Sequence, residues 1–445
     1  MKIFFRAFLA AAMLLIALPS YPAPAPPATS GPAGVYGIEG AKIFTLAGAP
    51  IENGTVLIQD GKISAVGARV TVPAGAQVID AKGLEVYPGF FDPVTQVGLH
   101  EVDAVSATVD VSELGDYNPE LVAATAVNPA SAHIRVTRAS GITHVIAAPG
   151  TAGFDEAPGG LIPGQASAFH LAGWTMEDMQ INRSVAMVIN WPSISTRTYD
   201  YATGEIKERT YSEAKKDYDK QVNQLSDWLD HARHYAQARE EGSPARYERD
   251  LKLEALVPVV EGKLPVLVVA LKARDIRNAV DFCTREKLNM ILAGAAEAWK
   301  VRDLLKEKRI PVILGPTERV PLEEDTPYDE PMAQPAQLYA AGIPFAFASF
   351  DTSFSRRLAQ YAGTAVGYGL PHEEALKAVT INAARMFGLD KELGTIEPGK
   401  IANLIVTNGD PLEIQTQLRY LFIKGELTST DNRQLDLYQQ YRKRP

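Results

Sequence analysis

From residue 40 onward, short apolar stretches alternate with polar positions and glycines interrupt them, as in GAKIFTLAGAPIENGTVLIQDGKISAVG. Asn53-Gly54 and Asp60-Gly61 stand between β-branched runs, where glycine supplies the positive φ of a tight turn, so both predict hairpins. A similar pattern returns near the other end, in GTIEPGKIANLIVTNGD and RYLFIKGEL. Two β segments flanking a different body predict one small composite β-sandwich domain built from residues 36–86 and 390–428.

The body, residues 87–389, alternates continuous apolar runs with helical patterns. Strands covered by helices on both faces read this way, and their alternation predicts parallel βαβ units. Seven strands are legible: GLEVYPGFF, ITHVIAAPG, SVAMVINWP, LPVLVVALK, LNMILAGA, IPVILGPT and IPFAFAS. An eight-stranded barrel needs one more, and the interval from Pro192 to Leu264 is where it is expected. That interval also carries a charged helical insert, about residues 205–262. Its first helix, Ser212 to Glu241, has Tyr218, Val222, Leu225, Leu229, Ala232 and Tyr235 on one stripe, and Gly242 and Pro244 end it. A second helix is predicted over Arg246 to Val260. The stripe is expected to pack on the barrel; a partner-binding helix is the alternative. Residues 429–445 read as a polar tail.

Residues 1–20 have the pattern of a secretory signal, with Lys2 and Arg6 beside the apolar run AFLAAAMLLIAL, which is too short to span a bilayer. A Pro/Ala-rich linker follows over residues 21–35. Export to the periplasm or outside the cell is therefore expected, and no membrane span remains once the signal is removed. The net charge of −9 gives nothing to neutralise a phosphate backbone, which excludes nucleic acid as a partner. Cys283 is the only cysteine, so no internal disulfide forms, and its half-apolar helical context predicts a small buried hydrophobe.

NGTVLIQDGKISAVG, VIDAKGLEVYPGFFD, ALKAVTINAARMFGL and GTIEPGKIANLIV, in this order, resemble the signatures of the amidohydrolase superfamily, imidazolonepropionase-like branch. The resemblance runs from about Tyr36 to Leu427. It implies an α/β fold with a (β/α)8 TIM-type barrel, and hydrolysis of C–N bonds other than peptide bonds, or related bonds. It also implies one or two divalent metals, commonly zinc, which lower the pKa of a bound water. In the family, histidines at the ends of strands one, five and six and an aspartate after strand eight hold the metal.

Carried over residue by residue, those positions fall on Val94 and Gln96, on Val269 and Leu271, on Gly294, and on Phe350. The ligand set implied by the resemblance is absent, so no cofactor is expected. The seven histidines do not rebuild it. His231 and His234 belong to a solvated helix face, His372 starts a helix, His144 lies inside a strand, and His133 leads to it. His100 and His170 are the two that could face a cavity, and with Gln96 they are the candidate binding residues. A metal site from His100, Glu101 and Asp103 is conceivable beside the plainer reading of a polar loop.

APGTAGFDEAPGGLIPGQ lacks a nucleotide fingerprint and reads as a lid or pocket wall, and no Gly-x-Ser-x-Gly elbow is present. Asp351, Glu297 and Lys272 are the catalytic candidates for a rebuilt site, with Lys272 as a clamp on an anion. Asp92 is expected to hold the strand-one loop through backbone amides. Three readings stay open: a metal-free member that binds a small molecule or supports a partner, an active hydrolase with a non-standard site that takes a metal such as zinc, and a scaffold presenting the helical insert. Homo-oligomerisation or pairing with an intact relative would suit the first.

Overall fold

A computed structural model of the chain describes residues 34–151, 159–200, 205–240 and 248–444. The signal sequence, most of the linker, Gly242, Pro244 and Arg246 lie outside the described residues.

The small domain forms from both ends of the chain. Tyr36–Ile43, Ile51–Gln59 and Lys62–Gly67 join Glu85–Pro88, Leu404–Thr407, Leu418–Ile423 and Glu426–Leu427 in one hydrogen-bonded path, and Gln77–Asp80 pairs with the first of these strands. Residues from far apart on the path, such as Ile63 and Phe422, share one core with Tyr36, Val86 and Leu404. The expected sandwich is thus one sheet curled about a single core. Asp60-Gly61 makes its hairpin turn, but Asn53-Gly54 sits inside a strand beside shifts in the pairing register, where its positive φ serves a bulge.

The barrel strands are β1 (Phe90–Thr95), β2 (Ile142–Ala147), β3 (Gly164–His170), β4 (Gln180–Asn190), β5 (Val266–Ala270), β6 (Met290–Gly294), β7 (Val312–Leu314) and β8 (Phe345–Phe347), bonded in chain order. Two expectations fail here. The eighth strand is Gly164–His170, and it runs antiparallel to both neighbours. The interval from Pro192 to Leu264 instead holds a short hairpin, Arg197–Asp200 with Glu205–Glu208, and helices Tyr211–Glu240 and Leu251–Val260. GLEVYPGFF is also two strands, because Glu85–Pro88 pairs with Leu404–Thr407 in the β domain. Gly89 separates them, and a β-carbon there would lie 2.3 Å from the Thr143 side chain.

Side chains alternate across each strand. The inward set, including Phe91, Ile146, Val188, Leu267, Ile291 and Ile313, fills the barrel and is floored by Ile381, Ala384 and Phe387. The outward set meets the helices, and Tyr218, Leu225, Leu229 and Ala232 of the long helix join it as the stripe predicts. His231 and His234 are exposed on the other face. Cys283 is buried, which pushes its thiol up to about 12. The polar tail contains a helix, Arg433–Tyr441, started by Asn432, whose side chain accepts from the amides of Gln434 and Leu435. None of its residues is buried. Among the described residues no helix is long and apolar enough to cross a membrane.

Candidate functional site

Catalytic chemistry in such barrels gathers at the C-terminal ends of the parallel strands. Here β1 and β8 meet without a regular ladder, and side chains close the seam. Asp92 is completely buried, and both its oxygens are taken by Ser349: Oδ1 accepts from the backbone N at 3.0 Å and Oδ2 from Oγ at 2.5 Å. Burial drives the Asp92 carboxyl up to about 7, against the lowering effect of those hydrogen bonds. Thr95 Oγ1 donates to Asp351 O at 2.6 Å, and Phe350 N donates to Val94 O at 2.9 Å. Asp92 therefore acts through backbone amides as expected, that of Val94 in its own segment and that of Ser349 after β8.

The strand ends themselves are apolar. Val94 and Phe350 are buried in the barrel-filling core, and Phe350 adopts a φ of +56°, a costly conformation for a bulky residue. Val269 packs against the same core. Gly294 has a φ of +82°, and a β-carbon on it would lie 2.6 Å from Leu271 Cδ2 and 3.8 Å from Val269 Cγ1. The space of a side chain at 294 is occupied by Leu271.

Gln96 is the only polar member of the set, and both ends of its amide are engaged. Nε2 donates to Thr151 O at 2.6 Å, and Oε1 lies 3.2 Å from His100 Nδ1. His100 Nε2 lies 2.6 Å from Asp103 Oδ1, close in distance but poorly aligned for a hydrogen bond. Among the described residues no group of three or more His, Cys, Asp or Glu is placed to hold a metal ion, His100, Glu101 and Asp103 included. The donor set at the strand ends does not fit a divalent metal. Carbon side chains cannot replace an ion's hydration, and a lone committed amide does not compensate for stripping it.

Of the catalytic candidates, Lys272 and Glu297 are neighbours, since the amide of Ala273 bonds Glu297, and each of the three is engaged by another group. Glu297 caps helix Ala273–Glu286 by accepting from Ala273 N at 2.8 Å, and its other oxygen pairs with Lys300 at 2.7 Å. Lys272 forms a half-exposed ion pair with Glu323 at 2.8 Å. Asp351 Oδ1 accepts from Phe354 N at 2.7 Å, fixing the turn after β8. Each has a local structural partner.

His170 departs furthest from expectation. Because β3 runs antiparallel, its last residue reaches the N-terminal floor of the barrel, opposite the C-terminal ends of the parallel strands. There His170 pairs with His144, and the Nδ1 atoms of both face Asn403 Nδ2, at 3.2 and 3.3 Å. Asn403 is fixed by Lys424 N, which donates to its Oδ1 at 2.9 Å. Burial holds both imidazoles well below their ordinary range, His170 at about 3. The pair joins barrel to β domain.

Asn190 carried no mark in the sequence. Ala186 and Val188 point into the barrel, Met187 and Ile189 out of it, and alternation turns Asn190 inward at the top of β4. Its Nδ2 donates to Gly150 O at 2.9 Å and to Gly160 O at 2.8 Å. Gln96 and Asn190 thus hold Gly150, Thr151 and Gly160 at the top of the barrel, while residues 152–158 of the stretch expected to form a lid or pocket wall lie outside the described residues.

These features match a known class of protein. The Amidohydrolase family model matches residues 336–430, which span the end of the barrel and the returning β strands. Amidohydrolase tasK of Hapsidospora irregularis is 24% identical over 399 residues, 84% of this chain and 39% of that protein. An imidazolonepropionase of Sphingopyxis alaskensis is 50% identical over 48 residues, 11% of this chain and 12% of that protein. The chain thus spans well under half the length of these curated relatives. Among solved structures, an amidohydrolase from Thermotoga maritima aligns with a TM-score of 0.75 at 24% identity, covering 88% of this chain and 100% of that one. The chain shares the fold of that solved amidohydrolase, and its residues 336–430 are similar in sequence to the amidohydrolase family.

Proposed function

We propose that this chain is an exported, divergent member of the superfamily, from its imidazolonepropionase-like branch, that does not perform metal-dependent hydrolysis and instead binds a small molecule or supports a partner. The observation that carries this reading is the apolar filling of the strand ends. Val94, Val269, Leu271 and Phe350 stand where the resemblance places metal ligands, and Leu271 overlaps the side-chain space of residue 294. A water there has no Lewis acid to make it hydroxide near neutral pH. The separate engagements of Lys272, Glu297 and Asp351 give a rebuilt hydrolytic site no support. The short likeness to imidazolonepropionase supports the branch, and the N-terminal pattern of Lys2, Arg6 and the apolar run supports export.

The test is metal content per chain on protein purified without chelator or a metal-binding tag, paired with hydrolysis assays on amide and imide substrates. The expected result is a folded chain with far less than one equivalent of zinc, manganese or iron and no turnover. Near-stoichiometric metal, or turnover abolished by chelation, overturns the reading.

A further inference from the structure

Helix Arg433–Tyr441 carries an apolar face that no other described residue buries. Leu435, Leu437, Tyr438 and Tyr441 recur at spacings of three and four, which puts them on one side, and they are 44, 37, 59 and 48% exposed. Cations border them. The Arg442 guanidinium lies over the Tyr438 ring, 6.0 Å from its centroid, and that of Arg444 over Tyr441, 4.3 Å away. From Arg433 to Arg444 the sequence has Arg433, Arg442, Lys443 and Arg444 against Asp436 alone, in a chain whose net charge is −9. An exposed apolar face bordered by charge of one sign marks a contact surface.

Its complement lies on the same chain. Residues 101–114 contain Glu101, Asp103, Asp110 and Glu113 and no Lys or Arg. Between these carboxylates Val102 and Val105 are exposed, and Leu114 beside them is 95% exposed. Backbone bonds hold the loop in shape: Glu101 N donates to Thr108 O at 3.1 Å, and Asp110 N to Leu99 O at 2.7 Å. The two surfaces border opposite ends of helix Ala132–Arg138. At its start, His133 Nε2 lies 3.0 Å from Glu101 O. Its last residue, Arg138, feels the charge of Asp431, just ahead of helix Arg433–Tyr441, which packs beside it. Within one chain both surfaces stay exposed. In a two-fold pair with helices Ala132–Arg138 antiparallel, the basic helix of each copy faces the acidic loop of the other.

We propose that this side of the barrel is an interface between two copies of the chain, in which helix Arg433–Tyr441 of each docks on residues 101–114 of the other. The leucines and tyrosines supply apolar contact with Val102, Val105 and Leu114, and the bordering cations meet the carboxylates and fix the register. The pairing goes beyond the metal-free reading and does not depend on it.

Sedimentation equilibrium of the full chain tests this. The expected result is a dimer that dissociates on dilution through the micromolar range and weakens at least tenfold between low and high salt. Arg442→Glu with Arg444→Glu should weaken it at least tenfold, and so should Asp110→Lys with Glu113→Lys. All four side chains are exposed, so both double variants should melt like the wild type. Mixing them is the decisive step. Each contact in the mixed pair joins opposite charges again, so the two chains should form a heterodimer although neither dimerises alone. A chain that is monomeric at every concentration, a dimer indifferent to salt and to both charge reversals, or reversed chains that fail to pair when mixed would each overturn the proposal. Binding of a monomeric chain to phosphatidylglycerol vesicles, lost on Arg442→Glu with Arg444→Glu, would overturn it too and assign the helix to an anionic lipid surface.

Discussion

Leu271 Cδ2 stands 2.6 Å from the point where Gly294 would carry a β-carbon. One strand end has grown into the place of its neighbour's side chain, so the two positions are coupled. Gly294→Ala is expected to cost about 2–3 kcal/mol, from a positive φ and from overpacking. Leu271→Ala removes the clash, so the double variant should lose clearly less than the two single losses added. Urea denaturation of the four proteins checks this; strict additivity would show that the positions do not share space.

Asp92 makes stability depend on pH in an unusual direction. Its carboxyl rises from an ordinary 3.8 to about 7 in the fold. The folded state therefore holds the proton more tightly, and the contribution is fully present below pH 3.8 and lost as pH rises to about 7. At about 1.4 kcal/mol per pH unit over roughly three units, the ceiling is about 4 kcal/mol. Asp92→Asn should abolish this part of the slope. Denaturation midpoints of wild type and variant across that range decide the matter, and parallel curves would refute it.

The barrel floor titrates the other way. His144 and His170 are held neutral by burial, His170 at about 3 against an ordinary 6.5. Their contribution is present above pH 6.5 and is lost as pH falls, by about 1.4 kcal/mol per unit for each ring. His170→Gln should flatten the acid limb, and combining it with Asp92→Asn should leave a chain less sensitive to pH than either single variant. An unchanged acid limb in His170→Gln would count against the buried neutral pair.

Gln96 holds Thr151 through a 2.6 Å hydrogen bond at the start of the loop after β2. Gln96→Ala is expected to cost about 1 kcal/mol, a typical loss for one buried hydrogen bond. The sharper readout is hydrogen exchange: protection at Gly150 and Gly159 should fall while strands β5 to β7 keep theirs. A uniform loss of protection would mean that Gln96 supports the whole barrel and not this loop.

Much of the fold was legible because its signals are local. Continuous apolar runs mark the buried parallel strands, and the stripe from Tyr218 to Tyr235 marks a packed helix. The strand Gly164–His170 escaped because GQASAFH is mostly small residues and follows a glycine-rich stretch that reads as loop. The terminal helix escaped because its residues are polar and its start depends on the Asn432 cap. At the site, the apolar residues Val94, Val269 and Phe350 could be read position by position, and the structure places them in or against the barrel core. The use of Asn190 could not, since one asparagine in an apolar run carries no sign of which carbonyls will surround it. Nor could the bond between Asp92 and Ser349, 257 residues apart.

The reversed direction of β3 bears on how the barrel comes together. Gly164–His170 pairs with β2 on one side and β4 on the other, so β2, β3 and β4 form a meander of strands consecutive in the chain. Loop-closure entropy is small for such neighbours and large for the seam between β1 and β8. The meander is a local template that can assemble first, with β5 to β8 adding in sequence. The Asp92–Ser349 seam and the strands returning from the C-terminus to the β domain would then be the last long-range contacts to form, so folding of this chain would finish where its two ends meet.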